Sequence, residues 1–246
     1  MISLKRLFGG GRQSLADSGL LGGLVDYHSH LLPGVDDGIR TQAEALEVLK
    51  VYGEAGVRAV WLTPHIMEDY PNRTQQLRER FAELGAAYAT LKPERPVELH
   101  LAAENMLDAL FLERLEAGDL LPVIDGEHLL VETSCYNPPF GFGQLLKEIR
   151  VRGYTPVLAH PERYHYLTLG DCESLCRSGV VLQLNMASVT GAYGSEACKK
   201  ACALLRKGYY ALAGSDLHQL HAFEKWIRQP VEKPVLQAIR HLLQVK

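Results

Sequence analysis

The sequence predicts an α/β fold built on a mostly parallel sheet, in its simplest form a single barrel of parallel strands. Three observations carry this. Short apolar runs alternate with helical segments along the whole chain, as repeated strand-helix crossovers require. The length, 246 residues, is common for one α/β barrel. A side chain of the metal-ligand type stands at the end of six of the seven runs, where a parallel barrel gathers its strand ends on one face.

The elements follow in order. The opening "MISLKRLFGGGRQSLADSGLLGG" has a short basic start, but Gly9, Gly10 and Gly11 interrupt it before a signal-like apolar run develops. Residues 1–23 are therefore expected to be a flexible extension, with the folded unit at 24–246. The first strand is expected near 24–27. Thr41 with Glu44 three residues on forms a capping-box pattern, Leu46 and Leu49 share one face, and Gly56 is placed to end that helix. "VRAVWL" then reads as a strand over 58–62, broken by Pro64. Further strands are expected at 97–102, 128–132, 155–159, 180–184 and 209–213, and helices at 73–91, 106–118, 142–153, 171–179 and 195–208, several ending in glycine. No linker-like stretch interrupts 24–246.

Composition narrows the function classes. With 47% hydrophobic and 22% charged residues the chain has material for a sizeable core. A net charge of -3 gives no general attraction for nucleic acid or an anionic membrane. Five scattered cysteines do not form a secreted disulfide framework, which points to the cytoplasm. No segment has the roughly 18 apolar residues of a membrane span, so a soluble protein is expected.

"DYHSHLLPGVDDG" at residues 26–38 concentrates acidic residues and histidines around a Pro-Gly turn. A strand period of two puts Asp26, His28 and His30 on one side, so that both imidazoles face one ion with Asp26 in support. His65 follows the second strand, Glu104 the third, Glu132 the fourth, His160 the fifth, and Asp216 with His218 the seventh. With Asp37 these give five imidazoles and four carboxylates. That is too many for one ion and suits two or three divalent cations with bridging carboxylates. Three such cations against four carboxylates leave an electropositive site, which a phosphate monoester complements; a metal-bound hydroxide would attack phosphorus in line. Arg163, three residues beyond His160, has the fork to hold a phosphoryl oxygen. Arg73 is a weaker candidate for the same work.

Other signals have plainer readings. A lone histidine is usually packed or on the surface, and His100, His128, His165, His221 and His241 lack strand-end placements, although His165 and His221 lie near enough to the strong candidates to stay open. Cys172 with Cys176, and Cys198 with Cys202, are spaced i, i+4 on expected helices, which commonly marks a buried face. Cys135 lacks the loop of a cysteine phosphatase. No GxxxxGK[ST] or GxSxG motif is present.

Taken together, "DYHSHLLPGVDDG", "TPH", "AAENMLD", "LVETS", "LAHPERY", "LNMASVTGAYG" and "GSDLH" resemble the polymerase and histidinol phosphatase (PHP) superfamily. Within it they are most similar to the bacterial PHP-type tyrosine phosphatases of capsule and exopolysaccharide operons. The resemblance implies a distorted (β/α)7 barrel with a trinuclear metal centre, usually of manganese, while the ligand types themselves suit iron or zinc as well. It also implies hydrolysis of phosphotyrosine on the tail of a bacterial tyrosine kinase. By motif position it places His28, His30, Asp37, His65, Glu104, Glu132, His160, Asp216 and His218 as metal ligands and Arg163 on the phosphate. His65 or His218 is the candidate proton donor. One departure concerns the arginine that such proteins often carry shortly after the last Asp-x-His, because here no further Arg or Lys occurs before Lys225. The competing readings are a small-molecule phosphatase such as a histidinol-phosphate phosphatase, a metal-dependent amidohydrolase, and a metal-binding scaffold without turnover. A nucleic-acid phosphoesterase would need a basic track that the charge balance does not supply.

Overall fold

A computed structural model describes residues 11–244. In chain order its elements are β1 (Arg12–Ser14), β2 (Val25–Ser29), α1 (Gln42–Ala55), β3 (Ala59–Leu62), β4 (His65–Ile66), α2 (Thr74–Thr90), β5 (Glu98–Leu101), β6 (Glu104–Met106), α3 (Ala109–Ala117), β7 (His128–Glu132), α4 (Phe142–Val151), β8 (Thr155–Ala159), α5 (Leu169–Arg177), β9 (Val181–Asn185), α6 (Gly194–Lys207), β10 (Tyr210–Gly214), α7 (Leu220–Ile227), β11 (Pro230–Glu232) and α8 (Lys233–Gln244). Short 3-10 turns follow β8 and β9. The capping box of α1 forms with both of its bonds, and Gly56 closes the helix in the left-handed conformation.

The strands form two parallel sheets, in the orders β10-β9-β8-β7-β6-β4 and β2-β3-β5. This is the α/β parallel architecture expected, but the continuous barrel ladder is not drawn. The breaks fall where the backbone turns, at Thr63-Pro64 between β3 and β4 and at Ala102-Ala103 between β5 and β6. Single bonds carry the pairing up to the break from each side, from Ala102 N to Leu62 O beside β5 and β3 and from Glu104 N to Pro64 O beside β6 and β4. On the far side, His30 N donates to Leu217 O and Asp216 N donates to His28 O.

The main core lies between strands and helices and includes Leu49, Tyr52, Leu77, Phe111, Ile149, Leu182, Leu204 and Ile239. A smaller cluster of Ala102, Leu130, Val157, Ala159 and Leu212 packs against Tyr27 and Trp61. Both raise the site on rigid strand ends. The free tail expected over 1–23 needs correction in its described part. β1 pairs antiparallel with β11, Leu15 is fully buried, and Leu20 and Leu21 enter the core. That segment has too few alternating apolar residues to announce a strand, and its pairing comes from the far end of the chain. Residues 1–10 lie outside the described part.

Among the described residues no helix is long and apolar enough to cross a membrane. All five cysteines are free, and Cys172 is buried in the main core, in keeping with the packing role expected of it.

Candidate metal centre

The nine expected ligands converge. Glu104, at the start of β6 and fully buried, is the hub. Its Oε2 lies 3.1 Å from His28 Nε2, 3.3 Å from His30 Nε2 and 3.2 Å from His65 Nδ1, and its Oε1 lies 3.1 Å from His160 Nε2. Asp216 Oδ1 stands 3.4 Å from His28 Nε2 and 3.3 Å from His30 Nε2. Glu132 Oε1 is 3.0 Å from His65 Nδ1, and its other oxygen is 3.8 Å from His160. Asp37 Oδ1 is 3.5 Å from both His65 Nε2 and His218 Nε2.

These contacts fit cation binding better than a hydrogen-bond network. His28 Nε2 and His30 Nε2 face each other at 3.1 Å. Glu104 Oε2, Glu132 Oε1 and His65 Nδ1 are buried without a well-directed hydrogen bond despite their close neighbours. Donor atoms about 2.1 Å from a divalent ion stand roughly 3.0–3.4 Å apart, close to the spacing seen. Three overlapping groups meet the condition: His30, Asp37, His65 and His218; His28, His30, Glu104 and Asp216; and His65, Glu104 and Glu132. The donor set therefore suits divalent cations.

The electrostatics point the same way. Burial alone would lower the His28 imidazole, yet Glu104 and Asp216 raise it to about 9. Burial likewise works against the Glu104 carboxylate, but His28 and the other imidazoles hold it well below the usual carboxylate range. Protons on the imidazoles thus balance the carboxylates, and bound cations would displace them.

Backbone form supports this geometry. His160 and Asp216 are non-glycine residues with φ of 35° and 53°, a conformation that costs of order 1–3 kcal/mol and collects at functional sites. Gly214, just before Asp216, lets two strands approach closely: a Cβ there would overlap the His28 Cβ and stand 2.7 Å from Gln183 Nε2.

Asp26 is buried on the same side as His28 and His30, as the strand period predicts, but its carboxylate bonds neither imidazole. The β2-β3 register shifts between Asp26 and Ser29. The Asp26 carboxylate instead accepts from Tyr52 OH at 2.7 Å, from Ser215 N at 2.8 Å and from His28 N at 3.3 Å, tying the first and last site strands together. The orienting work falls to residues that the sequence reading passed over. Asp36 Oδ2 is 2.8 Å from His30 Nδ1, and Gln183 Oε1 is 3.1 Å from His28 Nδ1. Asn185 Nδ2 donates to Asp216 Oδ2 at 2.8 Å. Gln183 and Asn185 sit in "LQLN", the strand without a charged or histidine end residue. Two buried amides in an apolar strand were the available signal. For Asp36 the doublet Asp36-Asp37 offers no spacing that separates ligand from support.

Arg163 donates from Nη1 to Asp216 Oδ2 at 2.8 Å, and its guanidinium lies 4.4 Å from the Tyr193 ring centre. Burial works against its charge, but Asp216 more than restores it. Clefts of about 700 Å3 and 790 Å3 open on either side, and Arg163 and Tyr193 line both. Arg73 is exposed at the start of α2 and lines neither. His100 stacks on Trp61, and His165 stacks on Tyr136 in the larger cleft.

Fold and site together define an α/β protein with a histidine-carboxylate centre of the kind that holds divalent cations. The chain belongs to the capsular polysaccharide synthesis family CpsB/CapC, which it matches over residues 24–238. It is 26% identical over 200 residues to tyrosine-protein phosphatase YwqE of Bacillus subtilis, covering 80% of this chain and 78% of that protein. It is 25% identical over 214 residues to tyrosine-protein phosphatase CpsB of Streptococcus pneumoniae, covering 84% and 87%. A crystal structure from a study of these two proteins, described there as metal-dependent tyrosine phosphatases, superposes with a TM-score of 0.75 at 23% identity, covering 90% of this chain and 86% of that one. At that identity the likeness establishes the fold.

Proposed function

We propose that this protein is a metal-dependent protein-tyrosine phosphatase acting on the phosphotyrosine tail of a bacterial tyrosine kinase in capsular or exopolysaccharide synthesis. The observation that carries the reading is the convergence on Glu104 of imidazoles and carboxylates, with Arg163 at the margin where the clefts meet. The names of the relatives and the family's place in polysaccharide synthesis support it.

In this reading the nine side chains hold two or three divalent ions, manganese first and iron or zinc as alternatives, since nitrogen and oxygen donors suit all three. Bound there, such ions neutralise phosphoryl charge and acidify water. The protein's own groups do the rest. Arg163, already oriented by Asp216 and Tyr193, offers its remaining N–H groups to a phosphoryl oxygen. His218 stacks on His30 and is the more exposed of the two donor candidates, 28% against 10% for the His65 side chain. Only with its ring not held by a cation would it pass a proton to a departing phenolate, whose pKa near 10 asks for little help. Asp36, Gln183 and Asn185 keep the ligands in place.

The same reading takes the two sheets as parts of a distorted (β/α)7 barrel, with β3/β4 and β5/β6 as broken strands and the His28 and His30 bonds to residues 216 and 217 as the closing seam. Residues 24–246 form its phosphatase unit, with 11–23 packed on it. Free cysteines accord with a cytoplasmic setting. Two clefts that share Arg163 and Tyr193 offer more room than a small phosphomonoester such as histidinol phosphate needs.

The test compares initial rates on a phosphotyrosine peptide and on histidinol phosphate, using chelator-stripped protein with manganese, iron or zinc restored. Metal-restored turnover of the peptide with the small substrate poor is expected. The reverse preference overturns the assignment to a protein substrate.

A further inference from the structure

The two clefts beside Arg163 differ in the state of their lysines. In the larger, Lys199 pairs with Glu196 at 2.9 Å, and Lys200 donates to Tyr164 O at 2.6 Å. The smaller is bounded by Ala187, Tyr193, Phe223, Lys225 and Trp226, and it shares Asp216 and His218 with the metal-type cluster. Arg163 at its inner end is tied to Asp216. Lys225, exposed on α7, forms no ion pair among the described residues, although its neighbour Glu224 is paired with Arg228. The smaller cleft thus mixes apolar residues with the uncharged polar side chains of Thr190, Gln219 and Gln229 along its walls, with one uncompensated cation at its edge.

The cleft also holds more volume than a phenyl phosphate requires. At about 700 Å3 it falls within the range that holds drug-sized ligands. A phosphorylated tyrosine with its phosphate at Arg163 leaves room for neighbouring residues of the same chain. A carboxylate beside the tyrosine is the group that Lys225 can meet.

We infer that the cleft under α7 is a subsite for the peptide flanking the phosphotyrosine, and that Lys225 makes it select an acidic residue there. This rests on the phosphatase reading above and adds a specificity determinant to it. Lys225 is not assigned to the chemical step.

The test uses the metal-loaded full chain and short phosphotyrosine peptides that carry a single Glu or a single Lys within two positions on either side of the tyrosine. The readout is the ratio of kcat/KM for the Glu and Lys members of each pair, which cancels the amount of active enzyme. On one side of the tyrosine the wild type should favour Glu by about threefold to fivefold, the range an exposed ion pair supports, and the ratio should shrink as salt is raised. K225E should invert it, and K225R should keep it. Equal ratios in wild type and K225E, or a K225E loss that is the same for both peptides, overturn the subsite. Failure of every phosphopeptide while histidinol phosphate is turned over instead overturns the protein-phosphatase reading, and the subsite with it.

Discussion

Replacing Asp36 with alanine removes one acceptor group from three donors at once. Its carboxylate lies 2.8 Å from His30 Nδ1 and accepts from Gly38 N at 2.9 Å and His65 N at 3.0 Å, with the side chain fully buried. A buried donor left unpaired costs about 1–3 kcal/mol. Because the three share one anchor, we expect a loss of ~3–5 kcal/mol for Asp36→Ala in metal-free protein and ~2 kcal/mol for Asp36→Asn, which keeps one acceptor oxygen. Such a loss is a large part of a domain's usual stability of about 5–15 kcal/mol. The pH dependence follows from the charge. Burial would raise this carboxyl, but His30, helped by the two amides, brings it from 3.8 to about 2. A depressed acid stabilises the folded state above its unfolded value, and the advantage is lost as pH falls through the folded value. The gap between wild type and Asp36→Asn should therefore be full at pH 5 and close towards pH 2. Urea unfolding of chelator-treated proteins across that range measures it. A cost below ~1 kcal/mol for the alanine variant, or a gap that does not change with pH, would refute the anchoring role. Metal affinity of Asp36→Asn should also fall about 10–100-fold, as for a lost ligand-orienting partner.

Gly214→Ala should cost about 1–3 kcal/mol and lower the bound metal per chain, because the added Cβ overlaps His28; melting curves and elemental analysis read both. Arg163→Lys keeps the charge but loses the fork, so kcat/KM on phosphotyrosine peptide should drop roughly 10–100-fold while bound metal is retained; near-wild-type turnover would count against the phosphate contact. Burial pushes the Cys172 thiol up to about 11, so alkylation near pH 7.5 should spare it in the native protein. Rapid labelling there, mapped by mass spectrometry, would contradict its place in the core.

Much of this architecture is legible from local pattern because strand ends were the informative positions. The strands expected at 128–132 and 155–159 coincide with β7 and β8, and the other five differ by one or two residues at one or both ends. Patterns that depend on distant partners were not legible. β4 is two residues long and exists because His65 and Ile66 pair with Glu104 and Asn105. β6 likewise takes Glu104–Met106, so α3 starts at Ala109 instead of 106. α7, β11 and α8 carry no catalytic-type motif and drew no assignment, although α7 walls the cleft beside Arg163. Within the site, ligand-type residues could be found by their chemistry. Gln183, Asn185 and Tyr193 are neutral and ordinary in sequence, and only their placement gives them a role. The strand period places Asp26 inward with His28 and His30, but its carboxylate goes to Tyr52 and Ser215, partners that nothing in the local pattern sets beside it.

The pairing of β1 with β11 bears on how the molecule is made. Ala16 N donates to Ile227 O, and Arg240 reaches back to Ser18 O across 222 residues of sequence. Asp26 and Ser215 are joined across 189. On the ribosome, neither the first strand nor the histidine pair at 28 and 30 can reach these partners until nearly the whole chain has been synthesised. β1 and β2 are thus among the last strands to be secured, and the chelating side chains of β2 wait beside an unfinished fold for Asp216 to arrive.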